Sequence, residues 1–166
     1  MTFEGGMRVP TVVAWPGSIA PGVVSDIGAT LDLYATITAL AGVGAEHAAL
    51  GVDGVSLVDT LLRGAPSPRT EMPFYRGAEL YAYRSGPWKL HLITEGRYGA
   101  GPERTVHDPP LLYHLTSDPA ERFDVAAQHP EVVAALRTRI AAHVADVTVK
   151  PPEFDRRLAL QDADKR

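Results

Sequence analysis

The spacing of hydrophobic and polar residues changes along the chain, and the change predicts two structural regions. In the first region, apolar side chains stand at consecutive positions in the run 8–15 (RVPTVVAW), which is typical of a strand buried on both faces of a sheet. A helix is predicted from Asp32, as its N-cap, to about residue 41, with Gly42 as its end. A shorter helix is predicted over about 57–62 and ends at Gly64. The apolar face of the first helix consists of Leu33, Ile37 and Leu40.

Beyond residue 70 the pattern changes to short strand-like runs followed by one long amphipathic stretch. Three short strands are expected first, and Ser85-Gly86-Pro87 joins the last two as a hairpin. A loop rich in Gly and Pro, 96–110, leads to a fourth strand. In the last stretch apolar residues recur every three or four positions, which predicts a helix with Pro130 at its first position. The strands are predicted over 73–75, 80–84, 88–94 and 111–115, and the helix over 130 to about 147.

A Pro-rich segment, 65–69 (APSPR), separates the two regions and is the predicted domain boundary. We expect residues 1–64 to be a slice of a larger α/β domain, 70–150 a small α+β subdomain, and 151–166 a polar tail. A strand buried on both faces needs neighbours on both sides, and the sequence predicts no other strand of that type. We therefore predict that residues 1 to about 25 self-associate, aggregate or stay disordered when this chain is alone.

Composition narrows the class of protein further. The chain has 166 residues, of which 45% are hydrophobic, a net charge of -4 and no Cys. The lack of Cys excludes a disulfide framework, a thiolate zinc site and a Cys nucleophile, but it does not fix the cellular compartment. The mildly acidic balance argues against nucleic acid as a partner, and no apolar run approaches the ~20 residues of a membrane span.

Candidate chemistry is sparse when the residues are taken alone. The six His do not form the close pairs of a zinc site, because His107 falls in a predicted loop and His114 on a predicted strand. His129 and His143 are expected at the surface of the terminal helix region. No G-x-S-x-G elbow singles out a nucleophilic Ser, and Glu4-Gly5-Gly6 lacks the Lys and Ser/Thr of a phosphate-binding loop. The residues alone therefore predict no catalytic residue and no metal site.

A set of short motifs nevertheless occurs in the order found in one enzyme family. The first is 2–10 (TFEGGMRVP), which is followed by 15–17 (WPG). With these motifs, over roughly residues 2–145, the chain resembles the C-terminal third of type I sulfatases of the arylsulfatase group. The further motifs are 32–37 (DLYATI), 39–42 (ALAG), 53–57 (DGVSL), 74–77 (FYRG), 83–91 (YRSGPWKLH), 110–115 (PLLYHL) and 118–121 (DPAE).

The resemblance implies an α/β protein. It would be the C-terminal part of an alkaline-phosphatase-like sulfatase fold, with the last strand and helices of the large sheet, a small antiparallel four-stranded sheet and a C-terminal helix. The family hydrolyses sulfate esters with a formylglycine nucleophile, made in a C/S-x-P-x-R motif, and a calcium ion that binds the sulfate. This chain has no Cys, and Ser67-Pro68-Arg69 has the wrong spacing for that motif. The resemblance therefore places the nucleophile and the calcium ligands upstream of Met1, so the chain is expected to hold no cofactor and to be inactive alone.

The resemblance also nominates substrate-binding residues. Glu4, Gly5, Gly6 and Arg8 follow directly on the family's Lys and could therefore touch the chemistry. The backbone of the Gly pair is expected to pass close to the sulfate pocket. The alternative is that the glycines make a turn into a strand and Arg8 pairs with a scaffold carboxylate. His91 is expected at the pocket rim as a donor to the leaving group; otherwise it faces solvent or Tyr83. Packing roles are expected for Phe74, Tyr81, Tyr83 and Trp88, and a solvated strand position for Lys89.

Three functions remain open from the sequence. The first is the C-terminal fragment of an arylsulfatase-like sulfuric ester hydrolase. The second is a stand-alone binding module that uses the small sheet or an exposed strand edge to join a partner with the missing catalytic part, or a second copy of itself. The third is a relative in the alkaline-phosphatase superfamily that acts on phosphate esters. The Trp-Lys-x-His and Asp-Pro-Ala-Glu segments favour the sulfatase.

Overall fold

The computed structural model describes residues 1–43, 51–96 and 101–148, so the predicted tail 151–166 lies outside the described residues. The chain divides into two compact units. The sheet unit consists of Met1–Arg8 together with the residues from Pro73 onward, and the helical unit consists of Val9–Met72. The N-terminal octapeptide therefore packs with residues that follow it only after the whole helical unit. In the part of the chain that the structure describes, no helix is long and apolar enough to cross a membrane.

The predicted four-stranded sheet and the predicted long helix are both confirmed. The strands lie in the order β1-β2-β3-β4, and β3 pairs antiparallel with both β2 and β4. The hairpin at Ser85-Gly86-Pro87 is confirmed by the pairing of Ser85 with Trp88. A short 3-10 helix, Ala126–Gln128, leads into the long helix. The elements are β1 (Glu71–Arg76), β2 (Glu79–Ser85), β3 (Trp88–Thr94), β4 (Thr105–His114), the single turn α1 (Glu4–Met7) and the long helix, called α4 here (Pro130–Asp146).

One face of the sheet carries the apolar core. Tyr83, Leu90 and Leu112 are neighbours in the strand register and are almost fully buried, and Leu136 and Ile140 of α4 complete the same cluster. Their spacing on the helix is the one that the sequence pattern predicts. Burial of each such side chain stabilises the fold by ~1.5–3 kcal/mol. The core therefore fixes which face of each strand points away from α4.

The prediction of a loop over 96–110 is wrong for its second half. The fourth strand begins at Thr105, because β3 offers it a pairing edge: Thr94 pairs with Thr105, and Ile93 with Val106. The register then shifts by a bulge between His91 and Ile93. Consequently His107 lies on a strand, where its Nε2 is 2.7 Å from Thr94 Oγ1, and not in a loop.

The predicted helices of the helical unit are confirmed, but the predicted strand over 8–15 is wrong. Among the described residues no strand pairs with this segment, so its backbone lacks the hydrogen-bonding partner that a strand requires. The helices that the structure describes in this unit are α2 (Asp32–Leu40) and α3 (Val58–Arg63). Gly64 ends α3 in the left-handed conformation, with φ 66°, as expected for a residue that follows a helix.

The side chains buried along α2 are polar, which differs from the predicted apolar face. Asp32 and Thr36 are buried, whereas Leu33, Ile37 and Leu40 are exposed. Asp32 is fully buried, and Arg69 compensates its charge by donating to both carboxylate oxygens, from Nε at 2.7 Å and from Nη2 at 2.6 Å. The backbone N–H groups of Ala29 and Val55 donate to it as well. Burial alone raises the pKa of Asp32, but these hydrogen bonds and the Arg69 charge outweigh burial and lower it.

Candidate functional site

A buried cluster of charged side chains lies on the face of the sheet opposite the apolar core. Lys89 and His91 alternate with Leu90 along β3, so both point away from α4, and both are fully buried. Glu4 comes from the single turn α1, and Glu121 from the turn that follows β4. We call Glu4, Lys89, His91 and Glu121 the buried charge cluster.

Lys89 lies at the centre of the buried charge cluster. Its Nζ donates to Glu4 Oε1 at 2.9 Å and lies 3.1 Å from Glu121 Oε1. The same Glu121 oxygen is 2.8 Å from His91 Nε2, and the other oxygen accepts the Glu4 backbone N–H at 2.5 Å. Arg84, on β2, adds a second positive charge 3.7 Å from Glu4. Two carboxylates thus face one ammonium and one guanidinium, so the burial of charge is compensated.

The turn before Glu121 fixes the position of its carboxylate. Glu121 has φ 52°, a left-handed conformation that is uncommon for residues other than Gly. Its N–H donates to the Asp118 carbonyl at 3.1 Å, and Asp118 Oδ2 in turn accepts the N–H groups of Arg122 and Phe123. This part of the Asp-Pro-Ala-Glu motif therefore holds the buried glutamate against the sheet.

The electrostatics of the cluster favour an ionised Glu121 and a neutral His91. Burial raises the pKa of Glu121, but the hydrogen bonds from His91 and the Glu4 N–H, with the charge of Lys89, lower it overall. Burial lowers the pKa of His91, and the bond to Glu121 does not fully offset this. An ionised Glu121 can only accept a hydrogen bond, so the proton of the neutral His91 ring lies on Nε2. The buried Nδ1 has no hydrogen-bond partner among the described residues.

Aromatic rings cover the cluster from both sides. Phe3 stacks on the His91 ring with centroids 4.5 Å apart, and Tyr113 meets the same ring edge-on at 5.6 Å. The Lys89 ammonium lies 4.4 Å from the centre of the Phe74 ring. Burial, together with the nearby carboxylates of Asp124, Glu121 and Asp118, raises the pKa of Tyr113 to about 12. Water is therefore kept from the ion pairs, and each pair interacts more strongly than it would at the surface.

Gly5 and Gly6, the glycines predicted to lie near the sulfate pocket, have different surroundings. A Cβ on Gly6 would lie 2.9 Å from the carbonyl oxygen of Met1, so a larger residue at this position would require the backbone of Met1 to shift. A Cβ on Gly5 would meet nothing within 4 Å. Arg8 has an exposed side chain, and its backbone N–H donates to the Glu4 carbonyl at 2.7 Å. The contact of these three residues with a sulfate pocket remains a prediction.

The alternative prediction for His91, a position that faces solvent or Tyr83, is wrong. His91 faces Phe3 and Glu121, not solvent or Tyr83, and its side chain is fully buried in this chain. Its contact with a substrate remains a prediction. The solvated position expected for Lys89 is wrong, because the N-terminal octapeptide covers this face of the sheet. Packing positions are confirmed for the buried rings of Phe74, Tyr81 and Tyr83, and for the partly buried Trp88 beside the core.

Two members of the cluster, Lys89 and Glu121, are not candidate site residues in the sequence, whereas the family resemblance groups Glu4 with the Gly pair. Glu4 and Glu121 stand within motifs of the family resemblance, but a glutamate in a turn is usually solvated, and Lys89 alternates with apolar residues as an exposed strand residue would. The available signal was opposite charge in three separate motifs: a glutamate in each of 2–10 and 118–121, and a lysine in 83–91.

The cluster is not suited to hold a metal ion. Lys89 already occupies the position between the two carboxylates that a cation would take. Within the described ranges no group of three or more His, Cys, Asp or Glu is placed to bind a metal. Calcium takes six to eight oxygen ligands, and the carboxylates of Glu4 and Glu121 already pair with Lys89, so this cluster does not fit that ion. What this arrangement does is anchor the N-terminal octapeptide to the sheet.

Comparison with known proteins agrees with the sequence motifs. Residues 67–164 match the family model described as the C-terminal region of aryl-sulfatase. Human arylsulfatase A is 39% identical over 157 residues, which cover 82% of this chain and 30% of that protein. An arylsulfatase from Hemicentrotus pulcherrimus is 32% identical over 178 residues, covering 93% of this chain and 32% of the relative. The chain therefore spans about a third of the length of these curated relatives.

A solved structure shares the fold as well. It was determined in work on the metabolism of multiple glycosaminoglycans by Bacteroides thetaiotaomicron. The two superimpose with a TM-score of 0.67 and 27% identity, covering 85% of this chain and 30% of that one. The family match, the identities and the shared fold lead to one assignment: this chain belongs to the arylsulfatase-like sulfatases and corresponds to their C-terminal region.

Proposed function

We propose that this chain serves as the C-terminal part of a sulfuric ester hydrolase and does not hydrolyse sulfate esters by itself. The observation that supports this most directly is the combination of a match to the C-terminal region of aryl-sulfatase with the lack of any C/S-x-P-x-R motif in the sequence. In this proposal the formylglycine and the calcium ion belong to residues outside this chain.

The contribution of this chain to the complete enzyme is structural. The buried charge cluster anchors the octapeptide that contains Glu4-Gly5-Gly6. The resemblance puts the family's Lys immediately before this turn. Anchoring the turn would therefore hold that Lys, and the backbone expected near the sulfate pocket, at a constant position relative to the small sheet.

Hydrolysis of a chromogenic substrate tests the proposal. The purified chain is incubated with calcium and 4-nitrophenyl sulfate, and in parallel with 4-nitrophenyl phosphate. We expect no release of nitrophenol above the blank with either ester. Turnover of the sulfate that calcium chelation abolishes would overturn the proposed inactivity, and turnover of the phosphate would favour the phosphate-ester alternative.

A second candidate function, a binding module that completes a split sulfatase, is favoured by the apolar surface of the helical unit. Val12 and Val23 are 92% and 93% exposed, and Ile37 of α2 is 63% exposed. Apolar side chains gain ~1.5–3 kcal/mol each when they are buried, so such a set favours association. The partner in this candidate is a polypeptide with a C/S-x-P-x-R motif.

Co-expression tests the second candidate. The chain is co-expressed with the N-terminal two thirds of a sulfatase from the same genome, and complex formation and sulfatase activity are measured after purification. We expect Ile37→Asp to abolish both, while Val106→Asp, at a comparably exposed position of the sheet unit, leaves both unchanged. Equal effects of the two substitutions would count against the apolar surface as the binding site.

A further inference from the structure

The N-terminal octapeptide contacts the sheet through only a few residues. Thr2 and Glu4 are buried and Phe3 is half-buried, whereas Gly5 to Arg8 are exposed. The chain then leaves the sheet unit at Val9 and returns at Pro73. The contact is therefore made by a short linear segment, Thr2-Phe3-Glu4, whose connection to the remainder of its unit runs through 64 other residues.

The face that receives this segment is complementary to it in charge. Lys89 and Arg84 supply two positive charges there, and Glu121 supplies one negative charge. A single carboxylate is needed to balance them, and Glu4 provides it with Oε1 at 2.9 Å from the Lys89 ammonium. A face without this carboxylate would keep an incompletely compensated buried ammonium, which is costly.

The same face also recognises the backbone and the aromatic side chain of the segment. Glu121 accepts the N–H of Glu4, and the His91 ring provides a flat surface on which Phe3 stacks. Within the bound segment, Gly6 N–H donates to the Phe3 carbonyl at 2.8 Å and Arg8 N–H to the Glu4 carbonyl at 2.7 Å, so the segment binds as a single turn.

From these contacts we infer that the outer face of the small sheet, built from Arg84, Lys89, His91, Tyr113 and Glu121, is a peptide-binding site. Its ligand is a segment of the type Thr-Phe-Glu, and the chain's own N-terminal octapeptide, which contains this segment, occupies the site. The site binds this peptide without a covalent link to Val9. The inference does not rest on the proposed function, because it concerns recognition within the sheet unit and no step of ester hydrolysis.

The test separates the octapeptide from the full chain after folding. A specific protease site is inserted between Arg8 and Val9, where the chain is exposed and has neither helix nor strand. After cleavage under native conditions the protein passes through a gel-filtration column, and mass spectrometry measures the octapeptide in the protein fraction. We expect the peptide to stay with the protein at micromolar concentration. Its loss, with or without unfolding of the protein, would overturn the inference.

Competition with synthetic octapeptides then tests specificity, and it requires no variant protein to fold. A fluorescent octapeptide is exchanged into the cleaved protein and displaced by unlabelled peptides. We expect at least about tenfold weaker competition from the Glu4→Gln peptide, because it leaves Lys89 with one carboxylate, and from the Phe3→Leu peptide, which lacks the stacked ring. The matched control is the Gly5→Ala peptide, which should compete as well as the native sequence since a Cβ there meets nothing. Equal competition by all four peptides would overturn the inference.

Discussion

The Lys89 ammonium and the Glu4 carboxylate, 85 positions apart in the sequence, form a buried ion pair of 2.9 Å that joins the first turn of the chain to the third strand of the sheet. Since Glu121 Oε1 lies 3.1 Å from the same ammonium, Lys89 pairs with two carboxylates at once. The stability of the sheet unit should therefore depend on this one side chain.

Lys89→Met is expected to lower the free energy of unfolding by about 3–5 kcal/mol, because it leaves two buried carboxylates with less compensation. Urea unfolding followed by near-UV circular dichroism measures the change. The control is Arg137→Gln, which breaks an ion pair between exposed side chains, Arg137 and Asp108, and should cost less than about 1 kcal/mol. A Lys89→Met protein as stable as the control variant would contradict the role assigned to the cluster.

The stability of the sheet unit should also fall as the pH falls. The folded state lowers the pKa of His91 below its ordinary 6.5, so below that pH the unfolded chain binds a proton that the folded ring does not accept. The folded state also lowers the pKa of Glu121 below its ordinary 4.5, so stability changes with pH in the same direction. The stability that Glu121 contributes is lost as the pH falls from 4.5 through its lower pKa in the folded state.

Urea midpoints between pH 7.5 and pH 4 check this pH dependence. We expect the loss of stability just below pH 6.5 to be weaker in His91→Gln than in the native chain, while the loss below pH 4.5 remains. His114→Gln, at a partly exposed histidine of β4, should keep both phases. If the His91 and His114 variants show the same profile, the titration does not belong to the buried cluster.

The apolar core of the sheet unit can be predicted from the sequence, but the buried charge cluster cannot. Periodicity over the strands and over α4 predicts which residues face each other, because the apolar residues cover one face in a regular pattern. The opposite face of β3 carries Lys89 and His91, and an alternating pattern with polar residues predicts solvent there. Residues 1–8 bury them together with Glu121, Phe74 and Tyr113, and contacts between positions so distant leave no local pattern.

In the helical unit, two predictions from the apolar pattern are wrong. The consecutive apolar residues of the run 8–15 predict a strand, but a strand exists only where another strand offers hydrogen bonds, and the described part of the chain contains none for it. Likewise α2 forms where its sequence predicts, yet its apolar residues are exposed and Asp32 is buried by Arg69. Local propensity thus predicts the helix, while the choice of buried face depends on neighbours.

Asp32→Asn should destabilise the helical unit by about 3–5 kcal/mol. The amide keeps the volume of the side chain but leaves the Arg69 guanidinium, whose side chain is 11% exposed, without its negative partner. The matched control is Asp59→Asn on α3, since Asp59 pairs with Arg63 where both side chains are mostly exposed. Hydrogen exchange of the Val55 amide, which donates to Asp32, measures the local effect. Exchange that is equally fast in both variants would contradict the prediction.

The last prediction concerns Gly54, where the loop of the Asp-Gly-Val-Ser motif passes over the start of α2. A Cβ added there would lie 2.2 Å from the carbonyl oxygen of Leu31 and 3.1 Å from its carbonyl carbon, so the backbone itself must move. That movement would separate the neighbouring Val55 N–H from Asp32, now 2.9 Å apart. Gly54→Ala should therefore cost about 1–3 kcal/mol of unfolding free energy, as overpacking usually does.

Gly22→Ala is the control, because a Cβ at this position meets no atom within 4 Å. It should be neutral or stabilise the chain by up to about 1 kcal/mol, because alanine restricts the unfolded state. Thermal unfolding of the two variants side by side measures the difference, and a Gly54→Ala protein that melts with the Gly22→Ala protein would show that this close approach does not constrain the fold.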